Sequence, residues 1–241
     1  MNAHQSDALP SHAAARDAFI AHKFGGSSVA DASRYRHVAM ILAARDDTAQ
    51  ITVVSAMKGV TDALVALADA AARGEDWQAA FASLHERHRA TARELLGQHA
   101  DLTCAWIDAQ FQELAAILGA ITLLGPSGEA AKDRVHGLGE VLSARLLADA
   151  LRGLGHDAIA LDAREVLVVG RNELGIAVDW DTSAARLAQW RAEHGQTRIV
   201  VTGFIARDAH GVATTLGRNG SDFSGAIFAA LFRAAELHIW T

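Results

Sequence analysis

One cysteine and two prolines occur in 241 residues. A lone cysteine, Cys104, excludes an internal disulfide framework and fits a reducing, cytoplasmic setting. The scarcity of proline leaves no proline-rich linker, and no repeat or low-complexity segment divides the chain. No stretch is strongly basic and the formal net charge is −6, which argues against nucleic acid as a partner. No uninterrupted apolar run reaches the roughly 18 residues of a membrane span, so no membrane partner is expected. Met1 to Asp17 is polar and lacks the apolar stretch of a secretory signal; residues 1–17 are expected to form a disordered extension. The remainder is rich enough in apolar residues, at 51% of the chain, to bury a substantial core.

Strand-like and helix-like segments alternate. Phe19 to Phe24, Ile51 to Ser55, Ala158 to Leu161, Arg198 to Thr202 and Leu237 to Thr241 read as short buried strands. Asp31 to Arg45, Ala63 to Arg73, Thr182 to His194 and Ser221 to Ala235 read as helices. Asp76 to Gly119 is helical apart from a break near Gly97 and Asp101. Gly125 to Gly128 is a turn, and Glu129 to Leu154 is a helix interrupted at Gly137 and Gly139. Ala209-His210-Gly211 marks a hairpin. The alternation predicts an α/β fold, a three-layer sandwich with a mostly parallel central sheet. It forms one domain over residues 18–241, with the central helices as an elaboration.

Open α/β sheets bind ligands at the carboxyl ends of their strands, and polar, glycine-containing segments stand at such ends here. Lys23-Phe24-Gly25-Gly26-Ser27-Ser28-Val29 follows the first strand. Its glycines let backbone N–H groups approach an anion, and its lysine adds a mobile charge. Ser55-Ala56-Met57-Lys58-Gly59-Val60-Thr61-Asp62 follows the second strand. Thr215-Leu216-Gly217-Arg218-Asn219-Gly220-Ser221-Asp222 opens the last helix. Gly139-Glu140-Val141-Leu142-Ser143 lies in the helical block.

With these four segments in this order, and Ile239-Trp240-Thr241 at the end, the chain resembles the aspartate kinases of the amino-acid kinase family. It is most similar to the kinase part of bifunctional aspartokinase–homoserine dehydrogenases. The resemblance runs from Phe19 onward and implies the amino-acid kinase (carbamate kinase-like) fold. It also implies transfer of the ATP γ-phosphoryl group to the β-carboxylate of L-aspartate, the first step toward lysine, threonine and methionine. ATP with Mg²⁺ and L-aspartate are the implied ligands, with no protein-held metal site and a homodimer for the intact enzyme.

Carried over by position, Lys23 and Asp222 are the expected catalytic residues. Lys23, Phe24, Gly25, Gly26, Ser27, Ser55 and Thr241 are expected at the nucleotide. Thr61, Glu140, Arg218, Asn219, Gly220 and Ser221 are expected at aspartate. Arg218 suits an α-carboxylate through its planar fork, and Glu140 suits an α-ammonium group. The chain departs from the family where Ser27 stands in place of the commoner threonine, a hydroxyl for a hydroxyl. It also departs at Thr241, where the family continues into an aspartate and further nucleotide-binding sequence. The kinase domain is therefore expected to be incomplete at its nucleotide-binding end. Two alternatives stand beside this reading: a kinase for acetylglutamate or glutamate, and a binding fragment with weak catalysis.

Other polar clusters have ordinary readings. His85 and His88 with Glu86 between them lack the spacing of a zinc motif and read as a solvated helix face, as do Arg87, Arg89 and Arg93. Trp77, Trp106 and Phe111 fall at helical spacing and read as core or interface. Cys104 has no activating partner and reads as buried and inert.

Overall fold

The computed structural model describes residues 19–45, 49–125, 129–173, 175–217 and 220–240. The extension expected over residues 1–17 lies outside them, as does most of the turn expected at Gly125 to Gly128.

Five strands form the central sheet: β1 (Ile20–Phe24), β2 (Gln50–Val54), β3 (Ala158–Leu161), β6 (Arg198–Thr202) and β9 (Glu236–Trp240). Their order is β3-β6-β2-β1-β9, and every pairing is parallel. β2 and β6 are buried along their whole length, as strands covered on both faces must be. Alternation sends their side chains into two cores. Phe24, Val54 and Val200 face one layer; Ala21, Ile51, Val53, Ile199 and Val201 face the other. The expected three-layer sandwich is the observed architecture.

The first layer holds α1 (Ala32–Ala43), α2 (Val60–Arg73), α3 (Gln78–Leu96), α4 (Asp101–Leu124), α5 (Glu129–His136) and α6 (Leu138–Gly153). Asp31 caps α1 by accepting from the Arg34 N–H at 2.9 Å. Tyr35, Val38, Ala39 and Leu42 then form its buried stripe, the i, i+3, i+4, i+7 pattern of a helix packed on one side. α4 is long and apolar enough by composition to cross a membrane. Its Cys104, Ile107, Phe111, Leu114, Leu118 and Ile121 nevertheless form a single stripe within the core. Cys104 is buried as expected.

The second layer holds α7 (Ala163–Val166), α8 (Trp180–Glu193) and α9 (Gly220–Leu231). Two hairpins accompany it: β4 (Val169–Asn172) with β5 (Gly175–Val178), and β7 (Ile205–Arg207) with β8 (Ala213–Thr215).

Several local expectations are corrected. Gly137 separates α5 from α6, but Gly139 does not interrupt the chain: α6 runs through it. The segment after β3 contains the β4–β5 hairpin rather than only loop and helix. The last helix ends at Leu231 instead of Ala235. His88 does not face solvent. It is fully buried, packs near the Phe111 ring and has its Nδ1 at 2.8 Å from the Leu84 carbonyl. His85 is half-buried and pairs with Asp108.

Candidate functional site

The carboxyl ends of β1, β2 and β6 open on a cleft of about 460 Å³. β1 delivers Lys23, then turns at Gly25, whose carbonyl accepts from the Ser28 N–H at 2.9 Å. The segment after β2 is bound to this turn: Ser55 N–H donates to Phe24 O at 3.1 Å and Lys58 N–H to Gly26 O at 3.1 Å. A Cβ on Gly26 would lie 2.8 Å from the Ala56 carbonyl oxygen, so only glycine lets the two loops meet this closely. Gly59, with φ of 78°, then turns the chain into α2, a conformation that glycine adopts without strain.

Helix starts crowd the same place. α2 and α6 begin without a side-chain cap, and α9 begins at Gly220 in the cleft wall. The positive ends of the helix dipoles favour an anion there.

Glu140 sits in the first turn of α6 and is 3% exposed. Its Oε1 accepts from the Ala56 N–H at 3.1 Å, while Oε2 is buried with no hydrogen-bond partner among the described residues. Burial raises its pKa to about 8, against the opposing pull of the Ala56 and Glu140 backbone N–H groups. The carboxyl group is thus predominantly neutral at pH 7. Gly139 makes this placement possible: a Cβ there would lie 2.6 Å from the Ala56 Cβ and 3.0 Å from Val60 Cγ1. Behind it, the Tyr35 hydroxyl donates to Ser143 Oγ at 2.8 Å and ties α1 to α6.

On the opposite wall, Lys23 forms an ion pair with Asp222 in the first turn of α9. The lysine side chain is 8% exposed and the aspartate 60%. Gly225 allows α9 to lie against the lysine stem, with its notional Cβ 3.1 Å from Lys23 Cβ. Phe204 completes this side. Its φ is 65°, a left-handed conformation rare for a bulky residue. Ser224 Oγ accepts from its N–H at 2.8 Å, and its carbonyl accepts from the Leu216 N–H at 2.7 Å.

Of the residues expected from sequence, Lys23, Gly25, Gly26, Ser55, Thr61, Glu140, Gly220 and Asp222 line this one cleft. Phe24 does not present its side chain there: the ring is buried and stacks on Trp240 with centroids 5.4 Å apart. Ser27 is exposed and is not among the lining residues. Arg218, Asn219 and Thr241 lie outside the described residues, as does the side chain of Ser221. The lining also includes Met57, Lys58, Gly59, Asp62, Phe204 and Gly217. Five of these stand inside the quoted motifs and were legible as neighbours. Phe204 carried one weak signal, its position directly after Gly203 at the end of a buried strand.

The arrangement brings a buried cation, glycine-turn backbone, three helix starts and a neutral buried carboxyl group to one cleft. It can hold a phosphate and a second, amine-bearing group side by side.

The chain is 39% identical over 93% of its length to bifunctional aspartokinase/homoserine dehydrogenase 1, chloroplastic, of Arabidopsis thaliana, of which it covers 25%. It is 34% identical over 91% of its length to bifunctional aspartokinase/homoserine dehydrogenase 2 of Escherichia coli (strain K12), of which it covers 27%. The chain thus spans about a quarter of the length of these curated relatives. Among solved structures, E. coli aspartokinase III in complex with aspartate and ADP (R-state) superposes with a TM-score of 0.79. That match has 26% identity and covers 93% of this chain and 49% of that one. Residues 18–241 match the model of the amino acid kinase family, and the chain belongs to that family.

Proposed function

We propose that this chain is the catalytic domain of an aspartate kinase, transferring the γ-phosphoryl group of MgATP to the β-carboxylate of L-aspartate. The observation that favours a free α-amino acid over an N-acetylated one is Glu140: a buried carboxyl group at the cleft, with one oxygen lacking a partner among the described residues. A free α-ammonium group satisfies that oxygen. An N-acetylated amino acid offers it no positive charge. The choice of aspartate over glutamate is supported by the likeness to aspartokinases.

The reaction needs no protein nucleophile. A β-carboxylate oxygen of aspartate attacks the γ-phosphorus, the bond from that phosphorus to the β,γ-bridging oxygen breaks, and ADP and 4-phospho-L-aspartate result. The protein positions the reactants and neutralises charge. Lys23, held by Asp222, supplies a cation to the moving phosphoryl group. The Gly25 and Gly26 N–H groups and the start of α9 supply further donors, a class of contact worth about 3–4 kcal/mol where removal of one such donor has been measured. Thr61 and, by resemblance, Arg218 complete the aspartate side. Mg²⁺ accompanies the nucleotide, bound chiefly by phosphate oxygens and water.

A hydroxamate assay with L-aspartate, L-glutamate and N-acetyl-L-glutamate tests the assignment. Acyl phosphate formation with aspartate is expected; activity on only the other two overturns it.

A further inference from the structure

Arg87 stands half-buried on α3, beside the stripe formed by Leu84, His88 and Thr91. Its guanidinium reaches two backbone carbonyls. Nη2 donates to the Lys58 carbonyl at 2.9 Å and to the Ala30 carbonyl at 3.3 Å. These acceptors belong to different loops. Ala30 ends the turn that follows β1, and Lys58 lies at the tip of the segment that follows β2. They are the two loops that wall the phosphate side of the cleft.

Each loop is soft by composition. Gly25, Gly26 and Gly59 lose more conformational freedom on ordering than other residues would. Apart from the Ser55 contact at the strand ends, the loops meet directly through Lys58 N–H to Gly26 O at 3.1 Å. Arg87 reaches across both from 57 and 29 residues away in sequence. A guanidinium suits this task because its donors are rigidly arranged and permanently charged, whereas an ammonium group is a flexible point charge.

We infer that Arg87 is a positioning residue: it staples the β1 loop to the β2 loop and so fixes the spacing of the groups that face phosphate. The inference rests on the phosphoryl-transfer reading of the cleft, and extends it to a residue that touches neither reactant.

Hydrogen–deuterium exchange on the unchanged chain, Arg87→Ala and Arg87→Lys, with calorimetric titration of inorganic tripolyphosphate, tests it. In Arg87→Ala the amides of residues 25–30 and 56–60 are expected to exchange about ten- to a hundredfold faster, the range for losing charge-assisted hydrogen bonds. Amides elsewhere stay unchanged. Tripolyphosphate binding weakens about tenfold, in line with the sensitivity of such sites to small misplacements, and Arg87→Lys falls between. Unaltered loop exchange overturns the inference. So does unaltered tripolyphosphate affinity in Arg87→Ala, uniform acceleration across the whole chain in both variants, or failure of the unchanged chain to bind tripolyphosphate. If binding and loop effects appear but no amino acid is phosphorylated, the aspartate assignment fails while the staple stands.

Discussion

A carboxyl group that is neutral at pH 7 forms an ion pair with an ammonium group only by giving up its proton. Glu140, with its pKa raised to about 8 by burial, must do so when an α-amino acid binds beside it, because the arriving positive charge favours the carboxylate. Aspartate binding at pH 7 is therefore expected to release close to one proton. The apparent affinity should tighten as pH rises toward 8, by at most about tenfold per pH unit. Calorimetry in buffers of different ionisation enthalpy measures the release directly. Glu140→Gln should abolish it, and an aspartate enthalpy independent of buffer would contradict the assignment. That Glu140 stands at the cleft was legible from its place beside Gly139 in a recognisable segment. Its burial was not, since a glutamate in a helical pattern ordinarily faces water. His88 misled for the same reason: its polarity suggested solvent, and packing against Phe111 decided otherwise. Arg87 was read as one of three charges on a helix face, because nothing in local sequence reveals a loop 29 residues away.

At the scale of elements, close approach between backbones organises the site, and glycine permits it. α6 rests on the β2–α2 segment through Gly139, with Ala56 and Val60 filling the space a side chain would need. Gly139→Ala should push the helix outward and cost about 1–3 kcal/mol, as overpacking does, measurable as a lower urea midpoint. Gly153, at the far end of the same helix, has nothing within 4 Å of its notional Cβ. Gly153→Ala should therefore be neutral or stabilising by up to about 1 kcal/mol. Equal effects of the two substitutions would show that helix propensity, not the approach to Ala56, governs the position. The major elements were legible because β2 and β6 are short apolar runs and the helices carry clear stripes. The β4–β5 hairpin was not. Its strands are four residues each, with Gly170 and Gly175 breaking the apolar pattern, so pairing between them supplies the order that local sequence lacks.

Across the whole molecule, buried titratable groups set a pH optimum for stability. Glu140 binds its proton more tightly folded than unfolded, so its contribution is full below its ordinary pKa of 4.5 and is lost as pH rises through about 8. His22 and His88 behave oppositely. Burial lowers each from 6.5 to about 4, so their contribution is full above 6.5 and is lost as pH falls toward 4. Each proton contributes a slope of about 1.4 kcal/mol per pH unit. Between about pH 4.5 and 6.5 the two histidines outweigh the one glutamate and stability rises with pH. Above 6.5 only Glu140 remains of the three and stability falls. Urea denaturation from pH 5 to 8.5 is expected to give a maximum near pH 6.5, with the alkaline decline flattened in Glu140→Gln. A stability that climbs steadily to pH 8 would contradict this balance.

The order of the sheet has a consequence in time. Lys23 and its glycines are among the earliest described residues to be synthesised, yet β1 lies between β2 and β9. Trp240 donates from its indole N–H to His22 at 3.3 Å across 218 residues of sequence. Such distant pairing is slow to form, because a long loop must close before any contact rewards it. On the ribosome, the strand that carries the phosphate-facing lysine waits half-paired while more than two hundred residues emerge. The strand that carries Lys23 thus completes its pairing only after β9, the last described strand in chain order, has been made.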